Sequence, residues 1–237
     1  MWYNLGNNLL RKAMKKPFFV LCVIGRSGSG KGTQVEMLQN KIKGLVHITT
    51  SDLLKKFIKR GGLFAKRVDQ EMKQGHAVPS SLAIELWMDV LLDLSKNARG
   101  VMWEGSPRTL LEAEVMDDAV PFTTGVQPVP VYIDISDAEA KKRLLKRLVC
   151  VKCKEVVPYK LLDSHPKTCS FCGGALIRRL DDNPKSILER LRYFRRLVVP
   201  ALVWYQKQKR LIVINGEQPA DAVFKDFWAA LKRRKLV

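Results

Sequence analysis

No stretch of this chain stays apolar for long. The longest run, FFVLCVI at 18–24, has the length of a buried strand, well short of the ~18–20 residues that a membrane-spanning helix needs. A helical span is therefore excluded and a soluble protein is expected. Internal repeats and low-complexity tracts are also missing, and 46% apolar residues argue against a disordered chain. Acidic residues are scarce, 23 Asp+Glu against 42 Lys+Arg, for a formal charge of +19. Such an imbalance points to a polyanionic partner (nucleic acid, an acidic membrane surface or phosphorylated substrates), or to a nucleotide enzyme rich in phosphate-binding arginines. Residues 1–17 contain no acidic residue at all, and Trp2, Leu5, Leu9, Leu10 and Met14 could share one helical face. The segment lacks the serine-rich character of a transit peptide, and its apolar part is too broken for a secretory signal. It reads as a plain basic extension over 1–16, with a cytoplasmic location expected. The alternatives are a targeting sequence, which would place the protein in an organelle matrix, and a membrane-surface helix.

What is present is an alternation of strands and helices over 237 residues, enough for one sizeable core with insertions. PFFVLCVI, LVHI (45–48), GVMWEG, PVPVYIDI and RLIVING read as strands. GTQVEMLQNKI, 51–60, 63–74, SSLAIELWMDVLLDL, DAEAKKRLLKRL, about 184–208 (interrupted or bent at Pro200) and 219–235 read as helices, with a start signal at Ser80 or Ser81. The order predicts an α/β fold with a central parallel sheet between two helical layers. The segments 49–76 and 150–178 break the alternation and are candidate insertions over the sheet's carboxyl edge, where ligands bind in such folds.

GRSGSGKGTQ, 25–34, sits between a strand and a helix, the context of a phosphate-binding loop. Gly25, Gly28 and Gly30 would let backbone N–H groups converge on phosphate oxygens, and Lys31 would reach the β/γ-phosphates. The residue after the lysine is Gly32, where most such loops carry serine or threonine. Cys150-x2-Cys153-x15-Cys169-x2-Cys172 has the spacing of a four-thiolate zinc site. Disulfides or free thiols are the competing account, disfavoured by the missing secretory signal. Cys22, inside the first strand, reads as an inert core residue.

Taken in order, GxxGxGKGTQ, HITTSDLLK (47–55), GHAVPSSL (75–82), EGSPRT (104–109), RLLKR (143–147) and RRLDDNPKSILERL (178–191) resemble the motif series of adenylate kinases and related nucleoside monophosphate kinases. The resemblance runs from about 17 to 216, and the cysteines look like the zinc-bearing lid of many bacterial members. It implies a P-loop core over 17–48, 77–147 and 181–237, a monophosphate-binding flap over 49–76 and a zinc-binding lid over 148–180. It implies ATP binding by Gly25, Gly28, Ser29, Gly30, Lys31, Gly32, Thr33, Arg143 and Arg147. Acceptor binding falls to Thr50, Lys55, Val78, Gly105, Arg108, Glu112, Arg179 and Arg190, and the catalytic set to Lys31, Arg108, Arg143, Arg179 and Arg190. Glu104 takes the place of the aspartate that helps to hold the magnesium water shell. Asp181 and Asp182 match an acidic pair that closes the lid, with a helix N-terminal cap as the competing account.

The expected activity is transfer of the γ-phosphoryl of Mg-ATP to AMP by a monomer, with Mg2+ and a structural Zn2+ as cofactors. The acceptor side departs from the family. Lys55 replaces an arginine, Ser51 a glycine, Ser80 an aspartate, Ser106 a phenylalanine, and Glu112 a glutamine that reads the adenine edge. An ionised glutamate accepts hydrogen bonds but does not donate them, which would suit a base presenting N–H groups. Two alternatives therefore stand beside the main reading: a kinase for another nucleoside monophosphate, and a basic nucleotide-responsive module that binds RNA or a ribonucleoprotein.

Overall fold

The computed structural model describes residues 18–74, 76–95, 97–157, 166–179 and 181–237. The basic extension over 1–16 lies outside these residues, as do Gly75 and the middle of the cysteine-bearing segment. β1 (Phe19–Ile24) is buried along its whole length. It sits inside a parallel sheet of order β2-β3-β1-β4-β7, formed with β2 (Leu45–Thr49), β3 (Gly100–Glu104), β4 (Pro128–Asp134) and β7 (Ile212–Asn215). Strand neighbours pair in register Cys22↔Trp103 and Cys22↔Pro130 on the two sides of β1. The crossovers leave β1 toward both sides, so the carboxyl ends of β1, β3 and β4 open a crevice at the switch of direction.

Side chains alternate across the strands and feed two cores. Val20, Cys22, Ile24, Val101 and Trp103 pack toward α4 (Ser80–Leu92), α5 (Leu110–Thr124) and α8 (Val199–Lys207). Trp87 meets Trp103 edge-on there, with ring centroids 5.8 Å apart. Phe19, Leu21, Val23 and Met102 pack on the other face against α1 (Lys31–Lys41) and α9 (Ala220–Arg233). Burial keeps Cys22 a protonated core thiol, as expected.

Three features depart from the sequence expectations or go beyond them. The helix α5, with Pro121 in its last turn, adds a layer element that the alternation above does not contain. The serines at 80 and 81 do not cap α4: Pro79 holds the N-cap position, and the Ser80 hydroxyl is hydrogen-bonded to Thr109 Oγ1 at 2.9 Å. The long helix after the cysteines is α7 (Pro184–Tyr193), a π-helical segment at 194–198, and α8. The wider winding ends where Pro200 offers no N–H and would crowd the carbonyl of Arg196.

The two insertions are small folded units. α2 (Thr50–Arg60) and α3 (Leu63–Gln74) join at Gly61-Gly62 and close on a cluster of Leu54, Val68 and Leu86, against which Val78 packs. The cysteine segment carries an antiparallel pair, β5 (Leu148–Cys150) and β6 (Leu176–Arg178), and α6 (Asp137–Lys146) leads into it. Among the described residues, no helix is long and apolar enough to cross a membrane.

Candidate active site at the carboxyl edge of the sheet

The loop after β1 folds around its glycines. A Cβ on Gly25 would lie 2.7 Å from the Ile133 carbonyl oxygen and 2.6 Å from Ser29 Oγ, so no larger residue fits. Gly30 holds the N-cap of α1 in the left-handed region at φ 87°, without a side-chain cap. The first N–H groups of α1 therefore remain available to an anion. Lys31 opens that helix and curls back, donating to the carbonyls of Gly25 (2.9 Å) and Arg26 (2.8 Å). Desolvation pulls its ammonium down to about 8, and Glu104, Arg108 and Arg147 all act on its charge. Ser29 is buried beneath the loop and Thr33 is exposed.

The glycine after the lysine now has a neighbour. A Cβ at Gly32 would sit 3.5 Å from Glu104 Oε1, so the last side chain of β3 reaches the mouth of α1. Glu104 shares a hydrogen bond with His47 Nε2 at 3.0 Å. Burial works against its charge, yet the His47 bond and the Lys31 ammonium hold it below the usual carboxylate range. An ionised carboxylate here fits the shell of a Mg2+ ion that keeps several waters.

The five expected arginines ring this edge, each tied to a protein oxygen. Arg108 Nε donates to the Gly105 carbonyl at 2.7 Å. Arg143 donates to Glu139 (2.7 Å) and to the Gly216 carbonyl (2.9 Å). Arg147 forks onto both carboxylate oxygens of Asp182 at 2.6 Å each, and Arg190 shares Asp182 at 2.8 Å. Arg179 pairs with Asp181, which Arg179 and Arg190 hold ionised despite its burial. The helix-cap account of the acidic pair is thereby corrected: Asn183 caps α7 by accepting from the Ser186 N–H, and the two aspartates bind arginines instead.

On the acceptor side, Thr50 Oγ1 and Ser106 Oγ lie 2.5 Å apart, both buried. Glu112, only 2% exposed, accepts from the Arg108 backbone N–H at 2.9 Å, with the Ser106 and Ser80 hydroxyls beside it. Burial pushes its carboxyl above the ordinary range. Three departures from the family motifs, Ser80, Ser106 and Glu112, thus meet in one buried polar cluster at the start of α5. Lys55 is exposed and bonded to Asp52 at 2.7 Å, Gly105 turns at φ 73°, and Val78 belongs to the flap's apolar cluster.

Residue types alone gave no reason to single out Arg26 or His47. Arg26, second in the loop, points away from the phosphate seat. Its guanidinium donates to Asp137 (2.6 Å), Tyr132 Oη (2.6 Å) and Asp134 (3.1 Å), and lies 4.6 Å from the centre of the Phe194 ring. It thereby ties the loop to both the helix that enters the lid segment and the helical run that leaves it. Its position inside the glycine loop is the one signal the sequence offered.

The four cysteines of the second insertion converge, and all their sulfurs lie within 4.8 Å of one another. Cys150 and Cys172 are 3.4 Å apart, and Cys153 and Cys169 3.6 Å. Four sulfurs at ~2.3 Å from one tetrahedral zinc ion would be spaced by about 3.8 Å, so the group could hold Zn2+. The Cys153 N–H donates to Cys150 Sγ and draws that thiol down to about 6, toward the thiolate a metal needs. A side chain at Gly174 would meet Cys150 Sγ at 2.8 Å, so the knuckle requires glycine there.

Comparison with known proteins agrees with this geometry. The family model described as Adenylate kinase matches residues 23–210. An adenylate kinase of Methanocella arvoryzae is 34% identical over 218 residues, covering 91% of this chain and 98% of its own. One from Dehalococcoides mccartyi is 33% identical over 210 residues, covering 88% and 96%. Another, from Chlamydia pneumoniae, is 33% identical over 207 residues, covering 87% and 94%.

Proposed function

The chain belongs to the adenylate kinase family, and from that premise we propose that it transfers the γ-phosphoryl group of ATP to AMP, giving two ADP. The observation that carries this reading is that Lys31 curls onto the carbonyls of Gly25 and Arg26 inside the glycine loop, with Glu104 reaching Gly32 at the mouth of α1 and Arg108 held on the Gly105 turn beyond β3. Phosphoryl transfer spreads negative charge over the oxygens of the moving group, so catalysis rests on positioning and charge neutralisation rather than on a general base. Gly25, Gly28, Ser29, Gly30, Gly32 and Thr33 form the seat of the ATP phosphates. Lys31 spans the β/γ-phosphates, with Arg143 and Arg147 on the donor side. Arg108, Arg179 and Arg190 hold the acceptor phosphate and the charge between the two nucleotides, beside Thr50, Lys55, Val78, Gly105 and Glu112. Mg2+ neutralises the triphosphate when bound, and Glu104 is the carboxylate that would hold its water shell. One Zn2+ on Cys150, Cys153, Cys169 and Cys172 staples the lid.

The flap (49–76) and the lid (148–180) close over the core, excluding water that would otherwise take the phosphoryl group. The arginine–aspartate pairs at the lid base would open as substrate phosphates compete for the guanidiniums. The active unit is a monomer, since one chain supplies every residue invoked, and the reaction serves cytoplasmic nucleotide biosynthesis. The organelle alternative rests on residues 1–16 alone.

A second reading, a kinase for another base, is favoured by the cluster of Glu112, Ser80 and Ser106. Initial rates with Mg-ATP and each of AMP, GMP, CMP and UMP separate the two readings. Highest kcat/KM with AMP supports the first, and preference for another monophosphate replaces it with the second.

A further inference from the structure

The +19 charge is not spread evenly: the flap and the lid each carry a net charge of +4, and a larger acid-free concentration lies away from the catalytic crevice. Five arginines at the carboxyl edge, Arg26, Arg143, Arg147, Arg179 and Arg190, carry ion pairs with aspartate or glutamate, and Arg108 is held by the Gly105 carbonyl. Because the main strands are parallel, the segments that precede β2 and β7, and the ends of α1 and α9, lie at the opposite, amino edge. The stretches KIKG (41–44), KQKRL (207–211) and LKRRKLV (231–237) meet there without one acidic residue. Among the described residues, only Arg210 of this group has an ion pair, with Asp117.

These stretches form one continuous surface. Lys41 Nζ stands 4.6 Å from the centre of the Trp228 ring, and Lys232 Nζ 6.0 Å from it. Phe224 stacks on the same indole, with centroids 6.1 Å apart. Arg234 donates to the Lys209 carbonyl at 3.4 Å, which joins the end of α9 to the turn before β7. Lys41, Lys43, Lys209, Lys232, Arg234 and Lys235 are all exposed. Like charges at this density repel one another and lower stability unless something answers them. None of the large exposed apolar side chains belongs to these three stretches, and Leu92 and Phe122, exposed at the ends of α4 and α5 on the same edge, lie outside them. An array of unpaired cations with a half-buried aromatic at its centre suits a string of phosphates.

We infer that the amino edge of the sheet docks a nucleic-acid strand through its phosphate backbone. The inference is separate from the phosphoryl-transfer reading, because the docking surface and the nucleotide crevice occupy opposite ends of the parallel sheet. Sequence selectivity is not part of it, since the contacts are to backbone charge.

The test is fluorescence anisotropy of the full chain with a labelled single-stranded RNA, run over a range of salt and paired with kinase rates on the same preparations. The variant is the triple Lys209→Glu, Lys232→Glu, Arg234→Glu. The control is a matched reversal on the flap: Lys59→Glu, Arg60→Glu, Lys66→Glu. Binding should weaken at least about tenfold in the patch variant, and its log–log salt slope should fall by about two, near 0.7 per lost phosphate contact. ATP turnover of the patch variant should stay at the wild-type level, which also reports that it folds. If the triple variant loses its fold, the neutral set Lys209→Gln, Lys232→Gln, Arg234→Gln carries the same test. Unchanged binding in the patch variant, equal loss in the flap control, or capture by phosphatidylserine vesicles with no RNA binding would each overturn the inference.

Discussion

At the scale of single residues, charge state and hydrogen-bond geometry decide what each site residue can do. Lys31 works only while charged, and desolvation brings its loss of charge down to about 8. A lowered pKa in a base means that the charge disappears earlier as pH rises. So kcat/KM for ATP should fall as pH climbs through about 8, while kcat holds further, because bound phosphates stabilise the ammonium. Lys31→Arg should abolish that alkaline limb at some cost in rate; a limb that persists in the variant assigns it to another group. Arg26 is tested differently, because it acts through the loop rather than on substrate. Its 16% exposed side chain holds Asp137, Asp134 and Tyr132 together. Arg26→Ala should destabilise the fold by about 1.5–3 kcal/mol, the range for hydrogen bonds to charged groups. It should also raise KM for ATP more than it lowers kcat, with partial recovery in Arg26→Lys. Unchanged melting temperature and unchanged KM together would remove Arg26 from the account. Glu112 carries the acceptor prediction. Glu112→Gln exchanges a buried carboxylate for an amide that both donates and accepts, and should shift kcat/KM among the four monophosphates toward AMP. If preference stays fixed, Glu112 serves only to hold the Arg108 N–H at the start of α5.

At the scale of elements, the lid is the segment that depends most on one bound group. Its strands are three residues each, and the four sulfurs form its centre. Metal analysis should give one zinc per chain, and chelation should abolish the lid's protection from proteolysis at lower temperature than the sheet core unfolds. Purified protein with no metal, or with disulfides among these cysteines, would contradict the site. The elements also show what a sequence can disclose. Gly25, Gly30 and the two cysteine knuckles were legible because backbone geometry and ligand spacing are local constraints written in consecutive residues. The strands were legible because burial on both faces demands continuous apolar runs. The pairing of Arg147 with Asp182, 35 residues apart, was not, since only the folded lid base brings them together. A helix cap stood as the competing account of Asp181 and Asp182 because they precede a helix, but Asn183 stands one position nearer and takes that role. The helix α5 escaped because Pro121 and the adjacent Asp117-Asp118 interrupt its apolar pattern, although Thr109 caps it by accepting from the Glu112 N–H.

At the scale of the whole molecule, the two ends of one parallel sheet carry two different electrostatic designs. The carboxyl edge gathers arginines already held by protein oxygens, carboxylates in every case but Arg108, which phosphates can displace. The amino edge leaves its cations open. This division explains how a chain of +19 keeps an ordered active site. The most direct test of the reaction is 31P NMR of Mg-ATP mixed with AMP, followed in the presence of the wild-type chain and of Lys31→Ala. The account predicts that the wild type converts the mixture to ADP, two for each ATP consumed, with no free phosphate. The variant should be slower by about two decades or more, the scale of losing one strong transition-state contact. ATP and AMP left unchanged by the wild type, ATP lost to inorganic phosphate instead of ADP, or a Lys31→Ala chain as fast as the wild type would contradict it.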